Sequence, residues 1–313
     1  MTKVAVASRS FSRHPVLRAE LLARYPETTF NDAGKSLAGE ELVEFLQGHE
    51  KIVTALEKLD DALFARLPDL KVVAKYGVGL DMIDLEAMRR RGIKLGWQGG
   101  VNRRSVSELV ISYAVALLRH IPQGNALARD GGWKQLMGRQ LSDRTIGIVG
   151  LGHIGKDLTQ LLKPWGCRIL AHDIKPMPDF CAKWGVEMMG LEDLLRQADV
   201  VTLHLPLDDN TRNILTAERM RLMKPDALLI NAARGGLLDE AELKDMLASG
   251  RLAGAALDVF AQEPPQDLGL VRLPNLIVTP HIGGSAEEAV LAMGRAAIAG
   301  LDRFGDPLQV AQS

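Results

Sequence analysis

Between Thr145 and Leu162 the chain reads as an apolar strand, a glycine-rich turn and a helix: Thr145-Ile-Gly-Ile-Val149, then Gly150-Leu-Gly152-His153-Ile154-Gly155, then helical spacing. No other stretch restricts the fold as much. Glycines in such a turn permit a tight bend, close approach of backbone to a pyrophosphate, and close packing of the next helix on the strand. The first turn of that helix offers free N–H groups and a positive dipole end to phosphates. The following strand, Arg168–His172, ends at Asp173. A carboxylate there can accept hydrogen bonds from both ribose hydroxyls and would repel a 2′-phosphate, so the site favours NAD over NADP, a preference that Lys175 nearby softens. Glycine-rich turns also close strand–helix junctions that bind nothing. The strand before, the helix after and the acid at the right distance together single this one out as a dinucleotide site.

The rest of the chain is organised to match. At 313 residues it is long enough for two domains. In the first hundred, strands are predicted at Lys3–Ala7, Lys51–Ala55, Lys71–Lys75 and Ile93–Trp97. Helices are predicted at Gly39–Gln47, Asp60–Leu67 and Ile83–Arg91. Ser105-Val-Ser-Glu108 has the form of a capping box opening a long helix that runs to about Ile121. From Thr145 a second series of strands follows: Thr145–Val149, Arg168–His172, Val200–Leu203, Ala227–Ile230, Gly254–Asp258 and Ile277–Thr279. A last helix covers Ala286 to about Phe304. Strands alternating with helices imply parallel sheets of the α/β class.

Composition excludes several roles. The 38 Lys and Arg balance 39 Asp and Glu, which argues against a nucleic-acid or membrane-surface binder. The uncharged apolar stretch Leu109–Leu118 is too short to span a bilayer, and the N-terminus turns polar too soon for a signal peptide. Cys167 and Cys181 match no metal or redox spacing, so a cytoplasmic protein with inert thiols and no metal site is expected.

Three polar residues follow strands of the second series, where open parallel sheets place their ligands. Arg234 lies in Asn231-Ala-Ala-Arg-Gly-Gly236, Glu263 follows Ala256-Leu-Asp-Val-Phe260, and His281 opens His281-Ile-Gly-Gly284. Taken singly, such an Arg also serves loop carbonyls, such a Glu is a solvated loop charge, and such a His is structural. Their joint placement beside a nucleotide fold changes that weighting.

With these motifs the sequence resembles the D-isomer-specific 2-hydroxyacid dehydrogenases, a family that includes phosphoglycerate dehydrogenase, D-lactate dehydrogenase and glyoxylate/hydroxypyruvate reductase. The resemblance covers nearly the whole chain. It is carried by Gly77-Val78-Gly79-Leu-Asp81, Gly150–Gly155, His204-Leu-Pro206 with Thr211, Met223-Lys-Pro with Asn231-Ala-Ala-Arg234-Gly, Leu257-Asp-Val-Phe with Glu263-Pro264, and Thr279-Pro-His281-Ile-Gly-Gly284. It implies an NAD-binding Rossmann domain, about 102–284, inserted into a flavodoxin-like substrate domain made of 1–101 and 285–313. It implies His281 as general acid and base, Glu263 as its hydrogen-bond partner favouring the imidazolium, and Arg234 as the clamp on a 2-oxo acid carboxylate. Backbone N–H groups at Gly77, Val78 and Gly79 would receive that carboxylate. Asp258, with Ala232 and Ala233, would lie near the nicotinamide end. His204, Pro206, Thr211, Gly283 and Gly284 would complete the cofactor site. Relatives are usually dimers built around the nucleotide domain and its first long helix.

The match has departures. Phosphoglycerate dehydrogenases commonly carry Arg-Ser where this chain has Thr54-Ala55, and Met82 stands where Asn is usual. Regulated members add a C-terminal effector domain, for which this chain ends too soon. These points favour a small unphosphorylated 2-oxo acid, with Lys75, Arg103 or Arg104 as alternative anion-binding groups. Arg89–Arg91 is expected to be a solvated helix end, and Trp97 and Trp133 to be packing residues. Two other functions stay open: phosphoglycerate oxidation for serine synthesis, and an NAD-sensing corepressor-like binding protein.

Overall fold

The computed structural model describes residues 2–312. The chain divides into two compact units, one from Met1–Asn102 with Glu287–Ser313 and the other from Arg103–Ala286. The first holds a parallel sheet of β1 (Val4–Val6), β2 (Thr28–Phe30), β3 (Lys51–Thr54), β4 (Val72–Lys75) and β5 (Lys94–Gly96), ordered β2-β1-β3-β4-β5. This is the doubly wound order of flavodoxin-like sheets. Alternate residues feed opposite cores, as the two-residue period of a strand requires. Ala5, Ile52 and Val73 pack on one face, while Val4, Val6, Val53 and Ala74 pack on the other.

The second unit holds β6 (Thr145–Val149), β7 (Arg168–His172), β8 (Val186–Met188), β9 (Val200–Leu203), β10 (Leu228–Asn231), β11 (Gly254–Leu257) and β12 (Leu276–Val278), ordered β12-β11-β10-β9-β6-β7-β8. Chain order reverses between β6 and β9, the switch point where such sheets bind nucleotides. Here too the faces divide: Val149, Val201, Leu229 and Leu257 enter one core, and Ile148, Ile169, Ile230 and Ala256 the other. Strands covered on both sides can be apolar throughout, which is why β9, β10 and β11 are buried at every residue.

Register decides which loops meet. Val149 pairs with His172 and Leu203, Asn231 with Leu203 and Leu257, and Leu257 with Val278. The residues that follow, Gly150, Asp173, His204, Ala232, Asp258 and Thr279, therefore leave the sheet side by side along its C-terminal edge.

Several sequence expectations need correction. The long helix runs from Arg103 to Leu118, so Ser105 lies inside it and not at a cap; its Oγ donates to the Gly283 carbonyl at 2.7 Å. The last helix spans Glu287–Gly300, and Pro307–Val310 forms a separate short one. The helices Arg9–Arg13 and Pro15–Arg24 and the strands β2 and β8 were not legible in the sequence. Both strands are three-residue sheet edges with exposed positions, so neither carries an apolar run. Arg90 and Arg91 pair with Asp61, and Arg89 with Asp306, on the surface. Trp97 packs as expected, its Nε1 donating to the Val78 carbonyl at 3.2 Å. Trp133 does not pack: it is 95% exposed, in a stretch from Arg119 to Gln140 that has no buried residue.

Candidate active site

The glycine-rich turn leaves β6 as predicted. Gly150 has φ +100°, and a Cβ on it would lie 2.5 Å from the His204 carbonyl oxygen, so only glycine fits. A Cβ on Gly155 would meet the Gly150 carbonyl at 2.3 Å, whereas one on Gly152 would meet nothing within 4 Å. The first and third glycines thus serve packing, and the second leaves open space. The helix His153–Leu162 begins at Gly152 with no side chain capping it, which leaves its first N–H groups for a ligand. Ile154 packs on the core below.

Asp173 is anchored to this turn. Its Oδ2 accepts from the Leu151 N–H at 2.7 Å and its Oδ1 from the Lys175 N–H at 2.8 Å. Beside it opens a cavity of about 560 Å³ lined by His172, Asp173, Ile174, Met177, Cys181 and Met189, among others. A mostly apolar hollow ending in one carboxylate suits an adenosine, its ring against the apolar wall and its ribose on the acid. These features fit a dinucleotide.

After β9, His204 hydrogen-bonds Thr202 Oγ1 through Nε2 at 3.0 Å, and its Nδ1 is buried with no partner among the described residues. Burial pushes the imidazole down to about 3, so it is neutral at any working pH. Thr211 Oγ1 donates to the Pro206 carbonyl at 2.7 Å and accepts from the Asp208 N–H at 2.8 Å. Thr211 therefore ties down the loop that carries Pro206.

The loop after β10 is held by Asn231. Its Oδ1 accepts from the Ala233 N–H at 3.1 Å and its Nδ2 donates to the Arg234 carbonyl at 2.8 Å. Ala232 and Ala233 are buried, and the half-buried Arg234 donates from Nη1 to the Ala233 carbonyl at 2.7 Å. A Cβ on Gly235 would sit 1.8 Å from the Phe260 carbonyl oxygen, so the backbones of the β10 and β11 loops touch. Beyond Phe260, Glu263 accepts from the Phe260 N–H through Oε1 at 3.2 Å. Its Oε2 lies 2.8 Å from His281 Nδ1. The imidazole is half exposed, and its Nε2 has no hydrogen-bond partner among the described residues.

His281 has φ +56°, a left-handed conformation that costs a non-glycine residue about 1 kcal/mol or more. Asp258, only 1% exposed, holds it there. The Asp258 carbonyl accepts from the His281 N–H at 2.9 Å, Oδ1 from the Ile282 N–H at 2.8 Å, and Oδ2 from the Gly283 N–H at 2.7 Å. Asp258 thus supports the loop His281–Gly284. The sequence assigned no role to Thr279, whose hydroxyl donates to Asp258 Oδ1 at 2.5 Å, and did not point to Tyr113, whose OH meets that hydroxyl.

Gly77–Gly79 follows β4 in the other unit. Gly77 has φ +119°, and the turn is partly exposed. Of the candidate anion binders, Lys75 donates to the Ala55 carbonyl, and Arg104 grips the buried Asp157 with both Nε (3.0 Å) and Nη2 (2.9 Å), with Arg103 3.9 Å away. No cluster of metal-holding side chains occurs among the described residues, and no helix there is long and apolar enough to cross a membrane.

Comparison with known proteins fits this geometry. Residues 111–283 match the family described as D-isomer specific 2-hydroxyacid dehydrogenase, NAD binding domain. D-3-phosphoglycerate dehydrogenase of Methanocaldococcus jannaschii is 38% identical over 267 residues, covering 84% of this chain and 51% of the relative. The chain thus spans about half the length of the curated relatives it matches. A solved protein of Thermus thermophilus is 33% identical with a TM-score of 0.83 over 98% of this chain and 97% of that one. D-lactate dehydrogenase of Lactobacillus jensenii, solved with NAD+, is 27% identical with a TM-score of 0.81 over 99% and 97%. The chain belongs to the D-isomer-specific 2-hydroxyacid dehydrogenase family. Its second unit contains that family's NAD-binding domain, and NAD is its cofactor.

Proposed function

We propose that the protein is an NAD-dependent dehydrogenase of D-2-hydroxy acids, working in either direction between the hydroxy acid and its 2-oxo partner. The observation that carries this is the His281–Glu263 pair, in which Nδ1 is taken by the carboxylate and Nε2 is left for a substrate oxygen. In the reducing direction His281 Nε2 gives its proton to the carbonyl oxygen, and Glu263, hydrogen-bonded to Nδ1, orients the ring and fixes the tautomer of the imidazole that remains. Arg234 takes the carboxylate in a planar fork and polarises the carbonyl. NADH, when bound, supplies the hydride. Gly150, Gly152, His153, Ile154 and Gly155 receive its pyrophosphate and Asp173 its adenosine ribose. His204, Pro206, Thr211, Ala232, Ala233, Gly283 and Gly284 line the remainder of its path, and Asp258 holds the nicotinamide-end loop.

The test is NADH oxidation by the purified protein against glyoxylate, hydroxypyruvate, pyruvate, 2-oxoglutarate, branched 2-oxo acids and 3-phosphohydroxypyruvate. Turnover of an unphosphorylated acid to its D-product is the expected result, and silence across the panel overturns it. A second reading, D-3-phosphoglycerate dehydrogenase, is favoured by the 38% identity to such enzymes. Preference for 3-phosphohydroxypyruvate would establish it in spite of Thr54-Ala55.

The working form is a cytoplasmic homodimer. Support comes from the stretch Arg119–Gln140, which buries nothing and exposes Ile121, Trp133 (95%) and Met137 (93%). Apolar area of that kind is ordinarily covered by a partner. Light scattering should give twice the chain mass of 34.1 kDa, and Trp133→Glu with Met137→Glu should halve it. A wild-type monomer would refute the dimer.

A further inference from the structure

We infer that Tyr113 and Thr279 are positioning residues for His281, joined in a directed hydrogen-bond chain from the helix Arg103–Leu118 to the acid–base loop. The inference rests on the proposed role of His281 and adds two residues outside the catalytic set.

The direction of the chain follows from proton counting. Thr279 has one hydroxyl proton, and it goes to Asp258 Oδ1 at 2.5 Å. The Tyr113 OH, in contact with the Thr279 hydroxyl oxygen, must therefore be the donor in that pair. Tyr113 is only 4% exposed, and burial pushes its hydroxyl up to about 12, so it keeps the proton it donates. Asp258 collects this chain together with the N–H groups of Ile282 and Gly283, the residues immediately after His281. The same helix holds the far side of the loop, where Ser105 Oγ donates to the Gly283 carbonyl at 2.7 Å. A loop with His281 in a left-handed conformation relaxes unless its surroundings over-determine it, and one helix grips it at both ends.

Loosening the grip displaces the imidazole without touching the dinucleotide turn. Displacements of about 1 Å cost up to roughly a hundredfold in turnover. Tyr113→Phe should lower kcat about five- to tenfold, and Thr279→Val about a hundredfold, with substrate KM within about twofold. Thr279→Ser, which keeps the hydroxyl, should stay within about threefold of wild type, and the double variant should be no worse than Thr279→Val alone. Hydrogen exchange at Ile282 and Gly283 should quicken in both damaging variants, a readout independent of turnover. Unchanged kcat and exchange in Tyr113→Phe, multiplying losses in the double variant, or a Ser variant as poor as Val would each overturn the inference. A wild-type protein inactive on every acid would instead refute the role of His281, and exchange in Tyr113→Phe would still decide whether the chain holds the loop.

Discussion

Replacing His281 with asparagine lowers kcat by about three to four orders of magnitude and leaves NADH affinity within about twofold, because the proton donor is lost while the dinucleotide site is intact. Asparagine is the informative substitution. The backbone at His281 has φ +56°, a region Asn tolerates better than most residues. His281→Asn should therefore keep wild-type stability, whereas His281→Ala should lose the same activity and also about 1 kcal/mol of stability. Steady-state kinetics, NADH titration and urea unfolding separate the two effects. Glu263→Gln should cost less, about ten- to a hundredfold in kcat, since the amide can still meet Nδ1 at the 2.8 Å seen here but cannot neutralise the imidazolium. An Asn variant with more than a tenth of wild-type kcat would remove His281 from the chemistry.

The second large effect is expected at Gly235. A methyl group there would stand 1.8 Å from the Phe260 carbonyl oxygen, 2.0 Å from its carbon and 2.4 Å from the Ala261 nitrogen. All three are backbone atoms, so no side chain can turn aside, and the β10 and β11 loops must separate. Overpacking ordinarily costs about 1–3 kcal/mol, and a clash with three backbone atoms stands at the upper end of that range. It also acts on Arg234 and Glu263 together, one residue before Gly235 and three after Phe260. Gly235→Ala should lower the unfolding midpoint and reduce kcat/KM at least a hundredfold, by displacing both groups at once. Gly152→Ala is the matching control, for its Cβ would meet nothing within 4 Å. That variant should fold as wild type and weaken NADH binding only. Equal stability of Gly235→Ala and wild type would show that the two loops are not locked as the structure has them.

What could be read from the chain beforehand was whatever local spacing encodes. β6, β7, β9 and β10 announced themselves as apolar runs because both faces of each are covered. The turn Gly150–Gly155 was legible because its three glycines meet three separate backbone demands within six residues. The edge strands β2 and β8 were not, since an edge strand of three residues with solvent on one side needs no apolar run. Ser105-Val-Ser-Glu108 misled for a related reason. A capping box is a local pattern, but here the helix begins earlier and Ser105 is drawn off by a carbonyl 178 residues away. Trp133 misled because burial of an aromatic is an average tendency, and this one stands on a stretch with no core beneath it.

By itself the sequence determined the α/β class with its parallel sheets and the dinucleotide turn, and it named Arg234, Glu263 and His281 as candidates for the site. Each of these depends on neighbours in the chain or on a recognisable run of residues. Tertiary structure decided which side chains act on one another. The pairing of Glu263 with His281, the engagement of Asp258 with the loop after it, the attachment of Asp173 to the glycine turn, and the reach of Tyr113 to Thr279 across 166 residues all follow from strand order and register. A hydrogen bond requires its atoms within about 3 Å of each other, and only the assembled sheet brings residues so far apart in the chain to that distance.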